Sequence, residues 1–169
     1  PINSTDGLRC SPWDVGPSGS GKTGLWGLLQ MILGNMFCQT LQDGKHADKF
    51  VINEDLAGVS LLCAQDMRGE PVTAEQLQKM IGGEEVATRG MQQLANDIAW
   101  RPALLFLTNI LPPWIDESGA LANRLLIFSW SHIDEARTDL LEKMKDPTEL
   151  TATVLAMLTA TQDFRKHVK

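Results

Sequence analysis

Gly16-Pro17-Ser18-Gly19-Ser20-Gly21-Lys22-Thr23 fits the pattern G-x-x-x-x-G-K-[ST] at each fixed position. Each fixed residue has a chemical reason to be there. The glycines let the backbone curl so that several N–H groups point inward at one polyphosphate. Lys22 brings an ammonium to the β- and γ-phosphates, and Thr23 offers a hydroxyl to Mg²⁺. A helix beginning at this point adds the positive end of its dipole. All eight residues are therefore read as nucleotide-binding, with ATP and Mg²⁺ as the expected ligands.

Working outward, the helix is legible. Leu25, Leu28, Leu29 and Ile32 fall at i, i+3, i+4, i+7 and predict a helix over 22–33 with one buried face. Gly34-Asn35 supplies a left-handed stop. Upstream, only Trp13-Asp14-Val15 is available as a strand, with Pro12 just before it, and the rest of residues 1–15 reads as irregular.

Downstream lie three short apolar runs: 59–64 (VSLLCA), 103–107 (ALLFL) and 125–128 (LLIF). Such runs suit strands buried on both faces of a parallel sheet. The first ends in Gln65-Asp66. A carboxylate at the end of a strand beside a phosphate loop can hold Mg²⁺ through water, so Asp66 is the second metal candidate.

Between the runs, 39–49 reads as a polar connector, and Phe50-Val51-Ile52 as a short strand or a helix start. Thr73 with Gln76 forms a capping box that opens a helix through Ile81, ended by Gly82-Gly83. Residues 84–100 read as a hairpin: 86–89 going out, 90–97 as the tip, 98–100 returning. Residues 118–124 predict a short helix. Ile133, Ala136, Leu140, Leu141 and Met144 mark an amphipathic helix broken at Asp146-Pro147. Thr148 then caps a last helix whose buried face includes Leu150, Val154, Leu155 and Leu158.

Strands alternating with helices behind a phosphate loop imply an α/β fold. The expectation is a parallel sheet flanked by helices, with nucleotide at the C-terminal strand edges and a small C-terminal helical cap. Residues 1–131 form the core and 132–169 the cap.

Composition narrows the partners. The net charge is −6, with 15 basic against 21 acidic residues, whereas a protein that coats duplex DNA is normally basic. Any nucleic-acid contact is therefore confined to a loop or a pore. Cys10, Cys38 and Cys63 are odd in number and widely spaced, which suits neither a disulfide framework nor a zinc site and points to a reducing, intracellular compartment. His46, His132 and His167 stand alone and are read as surface or partly buried residues. No apolar run approaches the roughly 20 residues that span a bilayer, so no membrane is expected.

The ordered motifs resemble those of superfamily 3 helicases. Gly16–Thr23, then LLCAQD, LQKMIGGEEVATR, LLFLTNILP and ALANRLLIFSW follow that family's order, closest to the primase-helicases of poxviruses, other large DNA viruses and phage satellites. The likeness covers about residues 12–131 and is most specific from Leu77 to Phe128. It implies an AAA+ type ATPase that assembles as a homo-oligomeric ring, usually a hexamer, and pulls single-stranded DNA through its centre. The host compartment would be cytoplasm or nucleus for a viral protein, and the chain, which opens without methionine, would be a segment of a longer replication protein.

The resemblance assigns catalytic roles to Lys22, Asp66, Asn109 and Arg124. Asn109 matches the residue that senses the γ-phosphate and orients the attacking water. Arg124 matches the arginine finger that reaches a neighbouring subunit's ATP. Lys79, Arg89, Gln92 and Gln93 are the candidate DNA contacts. The chain also departs from the pattern. Gln65-Asp66 replaces the usual paired acids, leaving Glu70 or Glu54 to activate water, and the 90–97 tip lacks the basic residue expected to grip phosphate.

Two other functions fit the phosphate loop. A small-molecule kinase needs a cationic lid, and no Arg-rich stretch follows Pro112. A nucleotide-gated assembly module with weak hydrolysis is consistent with Gln65.

Overall fold

The computed structural model describes residues 9–41, 58–65, 73–88, 96–111, 119–133 and 139–167. Five strands pair in parallel into one sheet: β1 (Ser11–Val15), β2 (Cys38–Leu41), β3 (Leu61–Gln65), β6 (Ala103–Thr108) and β7 (Leu125–Ser129), in the order β2-β3-β6-β1-β7. A separate two-stranded ribbon pairs β4 (Glu85–Thr88) with β5 (Asn96–Ala99) in antiparallel fashion. The helices are α1 (Lys22–Leu33), α2 (Ala74–Gly82), α3 (Leu140–Lys143) and α4 (Pro147–His167).

The central strands are apolar because helices cover both faces. In β6, Leu104 and Phe106 face one way and Leu105 and Leu107 the other, and all four are buried. The first face joins Trp13, Leu62 and Ala64 to Leu77, Met80 and Ile81 of α2 and to Val86 and Trp100 of the ribbon. Trp13 stacks on Phe106 at 3.9 Å between ring centroids, across the β1–β6 pair. The second face joins Cys38, Cys63, Leu105 and Leu107 to Trp26, Leu29 and Leu33 of α1. This two-fold alternation puts Asp14 and Gln65 on the α1 face.

Several expected elements differ in detail. The α1 bounds agree, but the helix is rotated. Trp26 is its buried apolar residue, with Leu29 and Leu33 packed beside it, while Leu25, Leu28 and Ile32 are half-buried. Trp26 removes more apolar surface per residue than a leucine, so it turns toward the sheet. Residues 39–41, expected in a connector, belong to the edge strand β2. Strand β1 starts at Ser11, where irregular chain was expected, because its partners β6 and β7 supply the hydrogen bonds.

The capping box at Thr73 forms, with Gln76 Oε1 accepting from Thr73 N at 3.0 Å, and Gly83 ends α2 in a left-handed conformation (φ 70°). In the ribbon, Asn96 and Asp97 lie in the returning strand and not in the tip, and residues 89–95 fall outside the described set. The expected helix over 118–124 is a single 3-10 turn, Ala122–Arg124.

At the C-terminus, Asp146 caps α4 in place of Thr148, accepting from Thr148 N at 2.7 Å, with Pro147 in the first turn where its missing N–H costs nothing. The expected buried face of α4 is only partly covered: Leu150 and Val154 are half-buried, while Leu155 and Leu158 are 58% and 55% exposed. Of the amphipathic helix expected from Ile133 to Met144, Leu140 and Leu141 lie in α3, Ile133 lies in non-helical chain, and residues 134–138 fall outside the described set, as do 50–52.

Candidate nucleotide-binding site

The phosphate loop leaves the C-terminal end of β1 between two neighbours. Gly16 N donates to Thr108 O of β6 (3.1 Å), and Trp130 N, just past β7, donates to Val15 O (2.7 Å). Glycine is required at 16. A Cβ there would lie 2.4 Å from Trp130 O and 2.8 Å from Trp130 Cβ, closer than atoms can approach. Gly19 and Gly21 take positive φ (78° and 91°), which other residues adopt only under strain, and this curls the loop into α1. No acidic side chain stands in the first turn of α1.

Lys22 is 7% exposed and fixed by four contacts. Its ammonium donates to Gly16 O (2.7 Å), Pro17 O (2.8 Å), Ser20 Oγ (3.0 Å) and Asn109 Oδ1 (3.3 Å). Two residues 87 positions apart, each assigned to phosphate chemistry from the sequence, thus meet at the loop. Asn109 arrives there because β6 is hydrogen-bonded directly beside β1 and ends at Thr108, whose hydroxyl donates to Ile110 O (2.6 Å) and tightens the turn. Thr23 is exposed on the first turn of α1, where its hydroxyl is accessible to a ligand.

Of the remaining assigned residues, Asp66, Arg89, Gln92 and Gln93 lie outside the described residues, as do Glu54 and Glu70. Gln65 pairs in register with Leu107 and lies on the same face of the strand as Cys63. Arg124 sits elsewhere. Its Nη1 donates to Gln78 O of α2 (2.6 Å), on the helix that packs against the opposite face of the sheet from α1. Lys79 pairs with Glu75 one turn earlier (2.9 Å) on the exposed side of α2. The site therefore brings together Lys22, Asn109, Thr23 and the loop, and it leaves Arg124 with α2.

Two residues of the site were missed in the sequence. Asp14 is 5% exposed and accepts a hydrogen bond from Trp130 Nε1. Burial raises its carboxyl above the ordinary carboxylate value, while the Trp130 hydrogen bond and the nearby Lys22 ammonium work against the rise. The signal was an acid inside an apolar strand two residues before the loop. Trp130 gave no local signal, because its role depends on a partner 116 positions away.

No family model matches the chain, and no curated protein matches it in sequence. Solved structures do match. The apo C-terminal region of NrS-1 aligns with a TM-score of 0.61 at 14% identity, over 84% of this chain and 35% of that one. A second apo structure of that region gives 0.57 at 15% identity, over 84% and 34%. JCV helicase, in a structure with a small molecule bound, aligns with a TM-score of 0.52 at 17% identity, over 85% of this chain and 42% of that one. The chain has an α/β P-loop NTPase fold. It shares that fold with a viral helicase while spanning well under half the length of either neighbour.

Proposed function

We propose that this chain is the ATP-hydrolysing core of a superfamily 3 type, AAA+ DNA helicase or translocase from a viral or mobile-element replication protein. The reading rests foremost on the junction of Lys22 with Asn109 at the phosphate loop. A buried ammonium and an amide at the end of the neighbouring strand give a γ-phosphate its charge partner and its water-orienting group. Mg²⁺ would be held by Thr23 and Asp66 and would neutralise charge on the β- and γ-phosphates when bound. The chain's own residues do the rest: the loop amides bind, Lys22 balances charge, and Asn109 positions the attacking water.

Hydrolysis between subunits of a ring is part of this reading. Arg124 would serve a neighbour's ATP, which requires its guanidinium to leave Gln78 O. It immediately precedes β7, an edge strand whose Ile127 and Phe128 are both 52% exposed, and that apolar edge supports a subunit contact there. Single-stranded DNA would contact the β4–β5 ribbon, with Lys79, Arg89, Gln92 and Gln93 as candidate contacts.

The test measures ATP hydrolysis with and without single-stranded DNA, alongside gel filtration in an ATP analogue. Stimulated hydrolysis by an oligomer is expected, and a strict monomer whose turnover ignores DNA would refute the ring motor. A second reading, a nucleotide-gated assembly module with weak hydrolysis, draws on Gln65, an amide where the resemblance leads one to expect an acid. It predicts slow turnover in the parent and a large gain in Gln65→Glu.

A further inference from the structure

The segment that follows β7 lies along the phosphate loop on the side away from Asn109. The His132 imidazole comes within 3.6 Å (Cε1) and 3.8 Å (Nδ1) of the point where a Cβ on Gly19 would stand. Ile133 Cδ1 is 3.3 Å, and the six-membered ring of Trp130 3.6 Å, from the corresponding point on Gly21. Ile133 is nevertheless 44% exposed, and His132 is exposed beside it. The segment is anchored by Trp130, through its backbone N–H to Val15 O and its indole N–H to Asp14.

A triphosphate seated in this loop can run in only one direction. The strand order β3-β6-β1-β7 places Asn109, and the end of β3, on one side of the loop and residues 130–133 on the other. The γ-phosphate belongs with Asn109 and Lys22, so the nucleoside leaves toward β7. An imidazole beside an exposed aliphatic side chain suits a purine or pyrimidine nucleoside, which has apolar faces and a polar rim.

We infer that residues 130–133 form the nucleoside wall of the site, with His132 and Ile133 meeting the base and sugar and Trp130 holding the wall in place. This rests on the nucleotide-binding reading above, and it adds the residues that distinguish a nucleotide from a bare polyphosphate. Both contact residues are exposed, so their truncation leaves the core intact.

The experiment measures binding of ATP and of inorganic tripolyphosphate, each with Mg²⁺, by calorimetry on the parent chain, the His132→Ala/Ile133→Ala double variant and Lys22→Ala. The double variant is expected to lose about tenfold in ATP affinity, the scale of one lost base contact. Its tripolyphosphate affinity and melting temperature should stay at the parent's values. Lys22→Ala should lose both ligands. Equal loss of ATP and tripolyphosphate in the double variant would place His132 on the phosphates and overturn the wall, and so would unchanged ATP binding. A parent chain that binds neither ligand would refute the nucleotide reading itself, and the inference with it.

Discussion

The two faces of the sheet treat their cationic site residues differently. On the α1 face, Lys22 is buried and tied to the loop and to Asn109. On the α2 face, Arg124 Nη1 donates to Gln78 O, midway along the helix. Lys22 is prepared within its own chain, because a buried ammonium needs several acceptors to offset its desolvation. Among the described residues Arg124 contacts Gln78 O, and under the proposed role in a ring it would exchange that contact for a neighbour's phosphate. The α1 face gathers the phosphate-loop contacts of Lys22, and the α2 face keeps Arg124 apart from them.

The largest expected effect tests the first half of that contrast. Lys22→Ala should abolish measurable ATP binding and turnover while the chain stays folded, as checked by calorimetry and thermal melting. Arg124→Ala comes next. Turnover should fall by about 10³, the lower end for an arginine finger, with ATP affinity near the parent's. Mixing Arg124→Ala with Lys22→Ala subunits should recover some activity, because each supplies what the other lacks. No recovery, with a lowered melting temperature alone, would make Arg124 only a brace for α2 and remove the contrast.

Asn109→Ala should lower turnover by about 10²-fold with a much smaller change in affinity, since the amide is assigned to the transition state. A matching fall in affinity would reduce Asn109 to an anchor for Lys22.

Asp14 gives a smaller, pH-dependent effect. Burial raises its folded pKa above the ordinary 3.8. Its contribution to stability is therefore fully present below the unfolded value and is lost as pH rises through the folded one. Asp14→Asn keeps an oxygen acceptor for Trp130 Nε1 and carries no charge. Its melting temperature should exceed the parent's at neutral pH, with the gap closing toward pH 3. Asp14→Ala leaves the indole N–H without that acceptor and should cost about 1 kcal/mol.

Least in size is cysteine reactivity. Burial pushes the Cys63 thiol up to about 12, so alkylation of the folded chain at pH 8 should spare Cys63 until denaturant is added.

How much of this was legible varies with the range of the forces involved. The bounds of α1 were readable because its apolar spacing and Gly34 are local. The Thr73 box was readable because both its partners lie within one turn. Strands β3 and β6 announced themselves as apolar runs, for a strand covered on both faces has no polar alternation to show, and β7 did so although it is an edge strand with Ile127 and Phe128 half exposed. By contrast β2, with the sequence CQTL, is an edge strand whose identity comes from its pairing with β3, and nothing within it says so.

The sequence by itself determined the phosphate loop, the helix behind it, the parallel α/β class and the nomination of Lys22, Thr23 and Asn109. All but Asn109 follow from residue type and spacing along the chain, whereas Asn109 was nominated by the resemblance to superfamily 3 helicases. Tertiary structure alone decided which face of α1 packs, that Asn109 reaches Lys22, that Asp14 and Trp130 brace the loop, and that Arg124 rests on α2. Those outcomes depend on strand order, which sets β6 and β7 on either side of β1. Contacts across 87 or 116 positions are made by the sheet, and no local stretch of chain encodes them.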